Sequence, residues 1–295
     1  MRLLAALGFL AVVIAAGCGD GGSGGQGGKV EVVATTPVVA DMARQVAGDR
    51  AEVHELLPRG ADPHGYEPRP SDVRGLSRAD LVVRSGGEID DWLGDVLDSA
   101  GGDPRVVTLM DSVPQRIEGD PHWWQDPRNG IAAAGAIERA LAAEDPRGRA
   151  GYAGRSRHYS DRLRRLDRSI AACVGRIPRP GRKLVTTHDA LGYYARRYGL
   201  DVIGALIPSR SSRAQPSARE VERLVDQIER ERVRTIFPES ALSSRLERAI
   251  ARESGAEVGG ILYADTVGPD GSYLGSLRTN TEAIVAGLSG ERCRP

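Results

Sequence analysis

Two series of short strand-like runs, separated by one long helical segment, are the feature that most constrains the fold of this 295-residue chain. Each run is rich in β-branched residues and precedes a longer segment with helical periodicity. A repeated strand–helix order predicts mainly parallel sheets with helices on both faces. The sequence therefore predicts an α/β fold with two lobes, and the chain is long enough for each lobe to bury its own core.

The first series occupies residues 29–145, which we interpret as an N-terminal lobe. Its predicted elements are a strand Val30 to Ala34, a helix Val38 to Ala47, a strand Ala51 to Leu57, a helix Ser71 to Ala79, a strand Leu81 to Arg84, a helix Trp92 to Ser99, a strand Val106 to Leu109 and a helix Arg128 to Ala143.

The second series occupies residues 177–295, which we interpret as a C-terminal lobe. Its predicted strands are Lys183 to Thr187, Asp201 to Leu206, Thr235 to Phe237 and Glu257 to Leu262. Its predicted helices are Ala190 to Tyr198, Ala218 to Glu231, Ser243 to Ser254 and Asn280 to Leu288.

The segment between the two series, residues 146–176, has no proline after Pro146 and predicts a single helix. Its apolar residues recur at spacings of three and four, which gives one narrow stripe on a charged helix. They are Tyr159, Leu163, Leu166 and Ile170. An ordinary surface helix would show the same periodicity. However, nearly 30 helical residues extend for roughly 40 Å, about the diameter of a domain, and this favours a helix that connects the lobes.

The N-terminus predicts export. Arg2 precedes an apolar run from Leu3 to Ala16, which is shorter than the roughly 20 residues of a membrane-spanning helix and ends in small residues. The small residues before Cys18 resemble a bacterial lipobox, with Ala15 where leucine is usual. We therefore expect residues 1–17 to be a cleaved lipoprotein signal peptide and Cys18 to carry lipid.

The segment that follows, residues 18–28, is mostly glycine and predicts a flexible tether, because it cannot bury apolar surface. We expect an exported monomer, lipid-anchored on the outer face of the cytoplasmic membrane. An exported compartment permits the remaining cysteines, Cys173 and Cys293, to form a disulfide. Two independent buried thiols are the alternative.

The charge balance excludes one class of partner. Lysine plus arginine and aspartate plus glutamate both total 40, so the formal net charge is zero. A protein that binds nucleic acid normally presents a basic field to the phosphates. We therefore expect no nucleic-acid partner.

Three of the five histidines, His64, His122 and His188, lie just after predicted strands or in proline-rich loops. Open α/β sheets place their ligand-binding residues in such loops. His64 and His122 each follow Asp-Pro, and the proline stiffens the backbone before the imidazole, so little entropy is lost on binding a metal. Asp265, after the last predicted strand, is positioned to add a carboxylate and complete a tetrahedral set.

The other two histidines are left out of the predicted site. His54 lies inside a predicted strand, and His158 lies on the charged face of the connecting helix. We expect both to be structural or solvated.

A set of ordered motifs extends over almost the whole mature chain. The motifs are Thr35-Thr36-Pro37, Leu57 to Pro68, Ala79 to Val83, Asp120 to Pro127, His188 to Tyr194, Phe237-Pro238-Glu239, and Asp265 with Asn280. Together they resemble the metal-specific solute-binding proteins of ABC importers for zinc and manganese. The resemblance implies that the protein captures a divalent transition metal and delivers it to a membrane permease.

The resemblance also assigns the ligands. It implies that His64 and His122 of the first lobe and His188 and Asp265 of the second lobe hold the ion in the cleft between them. It further implies that the connecting helix restrains hinge opening, so that metal binding causes modest shifts. Glu239 occupies a family-like position, where we expect an acid that supports a ligand or faces the transporter, with plain surface exposure as the alternative.

The third ligand position bears on the identity of the metal. Relatives suited to manganese often have glutamate there, whereas this chain has His188. Three imidazoles and a carboxylate suit zinc, and the intrinsic affinity order favours zinc over manganese at such a site. The segment between Met110 and Asp120 lacks the histidine-rich acidic loop of many zinc-binding members, so manganese or iron stays open as the cargo.

Two functions from other classes are the alternatives. A zinc hydrolase needs an open coordination position and a general base, whereas four protein ligands close this site and the chain has no His-Glu-x-x-His motif. We therefore expect no enzyme activity. A surface adhesin would need an exposed aromatic or repeated binding surface, and the sequence indicates neither.

Overall fold

The computed structural model describes residues 28–295. The predicted signal peptide, Cys18 and the tether up to residue 27 lie outside the described residues. Within residues 28–295, no helix has both the length and the apolar character needed to span a bilayer.

The first lobe is a parallel sheet covered on both faces. Its strands are β1 (Val30–Ala34), β2 (Ala51–Glu55), β3 (Leu81–Arg84) and β4 (Arg105–Thr108), and its helices are α1 (Pro37–Ala47), α2 (Pro70–Leu76), α3 (Leu93–Ala100) and α4 (Pro127–Glu144). The strand order is β2-β1-β3-β4, and every pair is parallel. Helices α2 and α3 pack on one face, and α1 and α4 pack on the other.

Helix α5 (Arg149–Gly175) joins the two lobes. It packs against α1 and α4 of the first lobe and against helices of the second lobe. The predicted stripe is buried in these contacts, with Tyr159, Leu163 and Ile170 at most 1% exposed. The connecting helix is therefore confirmed, while the division of the chain at residues 145 and 177 stays a prediction.

The second lobe repeats the architecture of the first. Its strands are β5 (Lys183–His188), β6 (Asp201–Ile207), β7 (Thr235–Phe237) and β8 (Glu257–Val258), and its helices are α6 (Gly192–Tyr198), α7 (Ala218–Glu231), α8 (Arg245–Ser254) and α9 (Tyr273–Ser289). The parallel strand order is β6-β5-β7-β8. Helices α7 and α8 pack on one face, and α6 and α9 pack towards α5. The two-lobed α/β prediction is confirmed.

Strand β8 is shorter than the sequence predicted. It ends at Val258 rather than at Leu262, because Gly259 and Gly260 interrupt the ladder. A side chain at Gly259 would meet the Phe237 ring at 2.8 Å, so the backbone passes close to β7 there. Leu262 rejoins the sheet edge as an isolated bridge to Glu239.

Helix α9 starts seven residues earlier than predicted, at Tyr273 rather than at Asn280. Ser272 caps it locally by accepting a hydrogen bond from the backbone N–H of Gly275. The buried Asp41 of α1 accepts a second one, from the backbone N–H of Tyr273 at 2.9 Å. Since Asp41 belongs to the other lobe, the local sequence does not reveal this cap.

A disulfide joins Cys173, near the end of α5, to Cys293 in the C-terminal segment. The two Cα atoms are 5.7 Å apart, and the sequence separation is 120 residues. Both residues are buried. The two thiols are therefore not independent, and the bond fixes the C-terminal segment to the connecting helix.

We predict that replacing both cysteines with serine lowers the free energy of unfolding by about 2–5 kcal/mol, because cross-linking a long loop restricts the unfolded chain. Urea unfolding of the mature domain and the C173S/C293S variant measures the difference. Reducing agent should shift the midpoint of the parent protein and leave that of the variant unchanged. Equal midpoints for both proteins under oxidising conditions would contradict this role.

Candidate metal site

The structure brings His64, His122, His188 and Asp265 together between the lobes, with one potential ligand atom from each lying within 4.8 Å of the others. The Nε2 atoms of His122 and His188 are 3.3 Å apart. The Asp265 carboxylate lies 3.2 Å from Nε2 of His188, 3.4 Å from that of His122 and 3.5 Å from that of His64. Donors about 2.0–2.1 Å from a tetrahedral ion are roughly 3.3 Å apart, so the set fits one such ion.

Each of the four residues lies at or beyond the carboxyl end of a strand. His64 lies in a 3-10 turn, Pro63–Gly65, after β2, and His122 lies in the loop after β4. His188 is the last residue of β5, and Asp265 follows β8. Parallel sheets direct these ends to the same edge, and here the edges of two sheets face each other. The cleft position that the family resemblance implied is consistent with this topology.

The repeated Asp-Pro-His motif holds its histidines through the aspartate. Asp62 Oδ1 accepts a hydrogen bond from the backbone N–H of His64, and Asp120 Oδ1 accepts one from that of His122, both at 3.0 Å. Asp120 Oδ1 also lies 2.8 Å from Nδ1 of the His122 ring. A carboxylate at Nδ1 leaves Nε2 free to bind a metal. Sequence reasoning stressed the proline and missed this role of Asp120, although the motif contained the signal.

Glu239 contacts both the backbone and the ring of His188. Its Oε1 accepts a hydrogen bond from the backbone N–H of His188 at 2.9 Å, and its Oε2 lies 2.7 Å from Nδ1 of the ring. At this distance the Glu239 carboxylate interacts electrostatically with the His188 ring. Glu239 is 5% exposed, so the alternative of plain surface exposure is excluded, and its contacts fit an acid that supports a ligand. The backbone N–H of Glu239 in turn donates to Thr187, whose hydroxyl donates to the buried Glu247.

The electrostatics of the cluster favour a cation. Burial raises the pKa of Asp265, but the neighbouring His188 and His122 rings hold this pKa well below its ordinary value. Burial lowers the pKa of His188, but the carboxylates of Asp265 and Glu239 hold it well above its ordinary value. Two buried atoms, His64 Nε2 and Asp265 Oδ1, have no hydrogen-bond partner. Unpaired buried polar atoms that converge on one point are what a metal site requires.

The two histidines left out of the predicted site are not part of this cluster. Both His54 and His158 are exposed. His54 on β2 forms an ion pair with Glu31 at 3.1 Å, and Glu52 lies beside them. These three side chains could approach one ion, but their exposure and mutual pairing explain the arrangement without one.

We predict that Asp120→Asn weakens metal binding by about 10- to 100-fold, because it removes the charged partner of the His122 ring. Competition with a chromogenic chelator measures the affinity. Asp62→Asn is the matched control, since Asp62 occupies the same motif position but does not contact the His64 ring. A loss of similar size in both variants would contradict a specific role for Asp120.

The chain is similar to known metal-binding proteins over nearly its whole length. The sequence profile of the family described as "ZnuA: Zinc-uptake complex component A periplasmic" matches residues 32–287. The metal ABC transporter substrate-binding lipoprotein FimA of Streptococcus parasanguinis is 28% identical over 290 residues, covering 92% of this chain and 93% of FimA. The manganese-binding lipoprotein MntA of Halalkalibacterium halodurans is 30% identical over 288 residues, covering 94% and 95%.

One solved structure shows the same architecture. The periplasmic zinc-binding protein TroA from Treponema pallidum superposes with a TM-score of 0.83 at 28% sequence identity. The match covers 88% of this chain and 99% of TroA. The two-lobed fold is therefore shared with a protein described as binding zinc.

Proposed function

The chain belongs to the family of zinc-uptake complex component A, and from this premise we propose that it captures zinc with His64, His122, His188 and Asp265. It is the substrate-binding component of a metal ABC importer, and its partner is the membrane permease of that importer. The single observation that supports zinc as the cargo is the convergence of three buried imidazoles and one carboxylate on one point. Zinc prefers such a nitrogen-rich tetrahedral set.

Membership in this family also bears on the rival functions. A substrate-binding component is not an enzyme, so the expectation of no enzyme activity is confirmed. The comparisons give no support to the adhesin alternative.

Different relatives are described as binding different metals. MntA is named for manganese, and TroA is described as a zinc-binding protein. We favour zinc because imidazole is a borderline ligand that zinc binds more tightly than manganese, whereas manganese favours oxygen donors. Manganese or iron in the same role is the alternative.

We extend the proposal to the location of the protein. FimA and MntA are named as lipoproteins, which supports the prediction that Cys18 carries a lipid anchor. The folded lobes would then lie on the outer face of the cytoplasmic membrane. We also propose a monomer, since the four ligands come from one chain.

The test is the metal content and competitive affinity of the purified mature domain beside His188→Ala. We expect about one equivalent of zinc in the parent, and a loss of at least about 100-fold in affinity in the variant, because one of four ligands is removed. His158→Ala is the matched control, because His158 is exposed on α5 and remote from the cluster. Tight manganese or iron with weak zinc would change the cargo, and no stoichiometric metal at all would overturn the site.

We predict that metal binding releases protons, because the carboxylates of Asp265 and Glu239 hold the pKa of His188 well above its ordinary value and a metal must displace the proton from the ligating nitrogen. Affinity should therefore fall as the pH is lowered, starting above the ordinary imidazole pKa of about 6.5. Titration calorimetry in buffers of different ionisation enthalpy measures the proton count. A constant affinity from about pH 8 to well below about pH 6.5 would refute this account of the ligands.

A further inference from the structure

The segment that carries Asp265 is held by the opposite lobe. The carbonyl oxygen of Ala264 accepts two hydrogen bonds from the first lobe, one from Nε1 of Trp124 at 2.8 Å and one from Nε2 of Gln125 at 2.7 Å. All three residues are at most 3% exposed. Trp124 and Gln125 lie two and three residues after His122, so one loop presents a ligand and also holds the neighbour of another ligand.

A third hydrogen bond holds the other side of the same segment. The hydroxyl of Thr266 accepts from the backbone N–H of Gly60 at 3.0 Å. Gly60 lies in the loop that carries His64, four residues before it. Asp265 is therefore flanked by two residues that are bound to the two histidine loops of the first lobe.

The Asp265 carboxylate has no comparable support of its own. Its Oδ1 has no hydrogen-bond partner, and its close contacts are the three imidazoles that would share the ion. Its position consequently depends on the backbone that carries it. Ordering a ligand before the metal arrives reduces the entropy lost on binding.

We propose that Trp124, Gln125, Gly60 and Thr266 form a clasp that positions Asp265, and that Gln125 thereby sets how strongly the site binds oxygen-preferring metals. The proposal rests on the proposed function, since it assigns a role within the same metal site. Manganese depends more on its carboxylate ligand than zinc does, because imidazole contributes most of the zinc affinity. A loosened carboxylate should therefore weaken manganese binding more than zinc binding.

The test compares the parent with Gln125→Met, which removes the donor and keeps a side chain of similar length. We expect manganese affinity to fall by about tenfold and zinc affinity by about twofold, as for the loss of one buried hydrogen bond. In the metal-free protein, amide hydrogen exchange of residues 262–268 should be faster by about five- to tenfold. Thr281→Val is the control, because it removes buried hydrogen bonds with Tyr194 and with the carbonyl oxygen of Leu277, both of which lie outside the clasp.

A second pair of variants tests the clasp if Gln125→Met fails to fold. Thr266→Val removes the acceptor for Gly60 and should change the metal ratio and the exchange rate in the same directions, whereas Thr266→Ser keeps the hydroxyl and should restore both. An unchanged zinc-to-manganese ratio and unchanged exchange, in folded variants of a parent that binds metal, would overturn the clasp alone. A parent that binds neither metal would overturn both the clasp and the proposed function.

Discussion

The Asp265 carboxylate, buried between three imidazoles, is the constraint around which the molecule is organised. An ionised carboxylate removed from water must be paired, and here its neighbours are His64, His122 and His188. Those rings in turn need partners at Nδ1, which Asp120 and Glu239 supply for two of them. A divalent cation at the centre would give a partner to the two unpaired buried atoms of the cluster, His64 Nε2 and Asp265 Oδ1.

Because the four candidate ligands come from both lobes, the lobes must keep a fixed distance from each other to hold the site together. Helix α5 packs against both lobes, and α9 of the second lobe is capped by Asp41 of the first. The disulfide between Cys173 and Cys293 adds a covalent tie at the end of α5. Because both lobes pack on one continuous helix, we expect metal binding to shift the loops around the site rather than to close a wide hinge.

Much of this could be predicted from the sequence, because its strongest signals are local. β-Branched runs gave the parallel sheets, and the two Asp-Pro-His motifs pointed to His64 and His122. Contacts between distant segments were not predictable in the same way. The Asp41 cap of α9 joins residues 232 apart, and the hydrogen bond from Gln125 to Ala264 joins residues 139 apart. Neither contact leaves a periodicity or a motif, since the topology alone brings the two segments together.

The most direct test of the central claim is X-ray absorption at the zinc edge of the loaded mature domain. If the four side chains are the ligands, the zinc is surrounded by three imidazole nitrogens and carboxylate oxygen at about 2.0–2.2 Å. The spectrum should also show scattering from the more distant carbon and nitrogen atoms of the imidazole rings. The same spectrum from His188→Ala should show one imidazole fewer. A first shell of oxygen atoms without imidazole scattering would contradict the assignment of His64, His122 and His188 as the ligands.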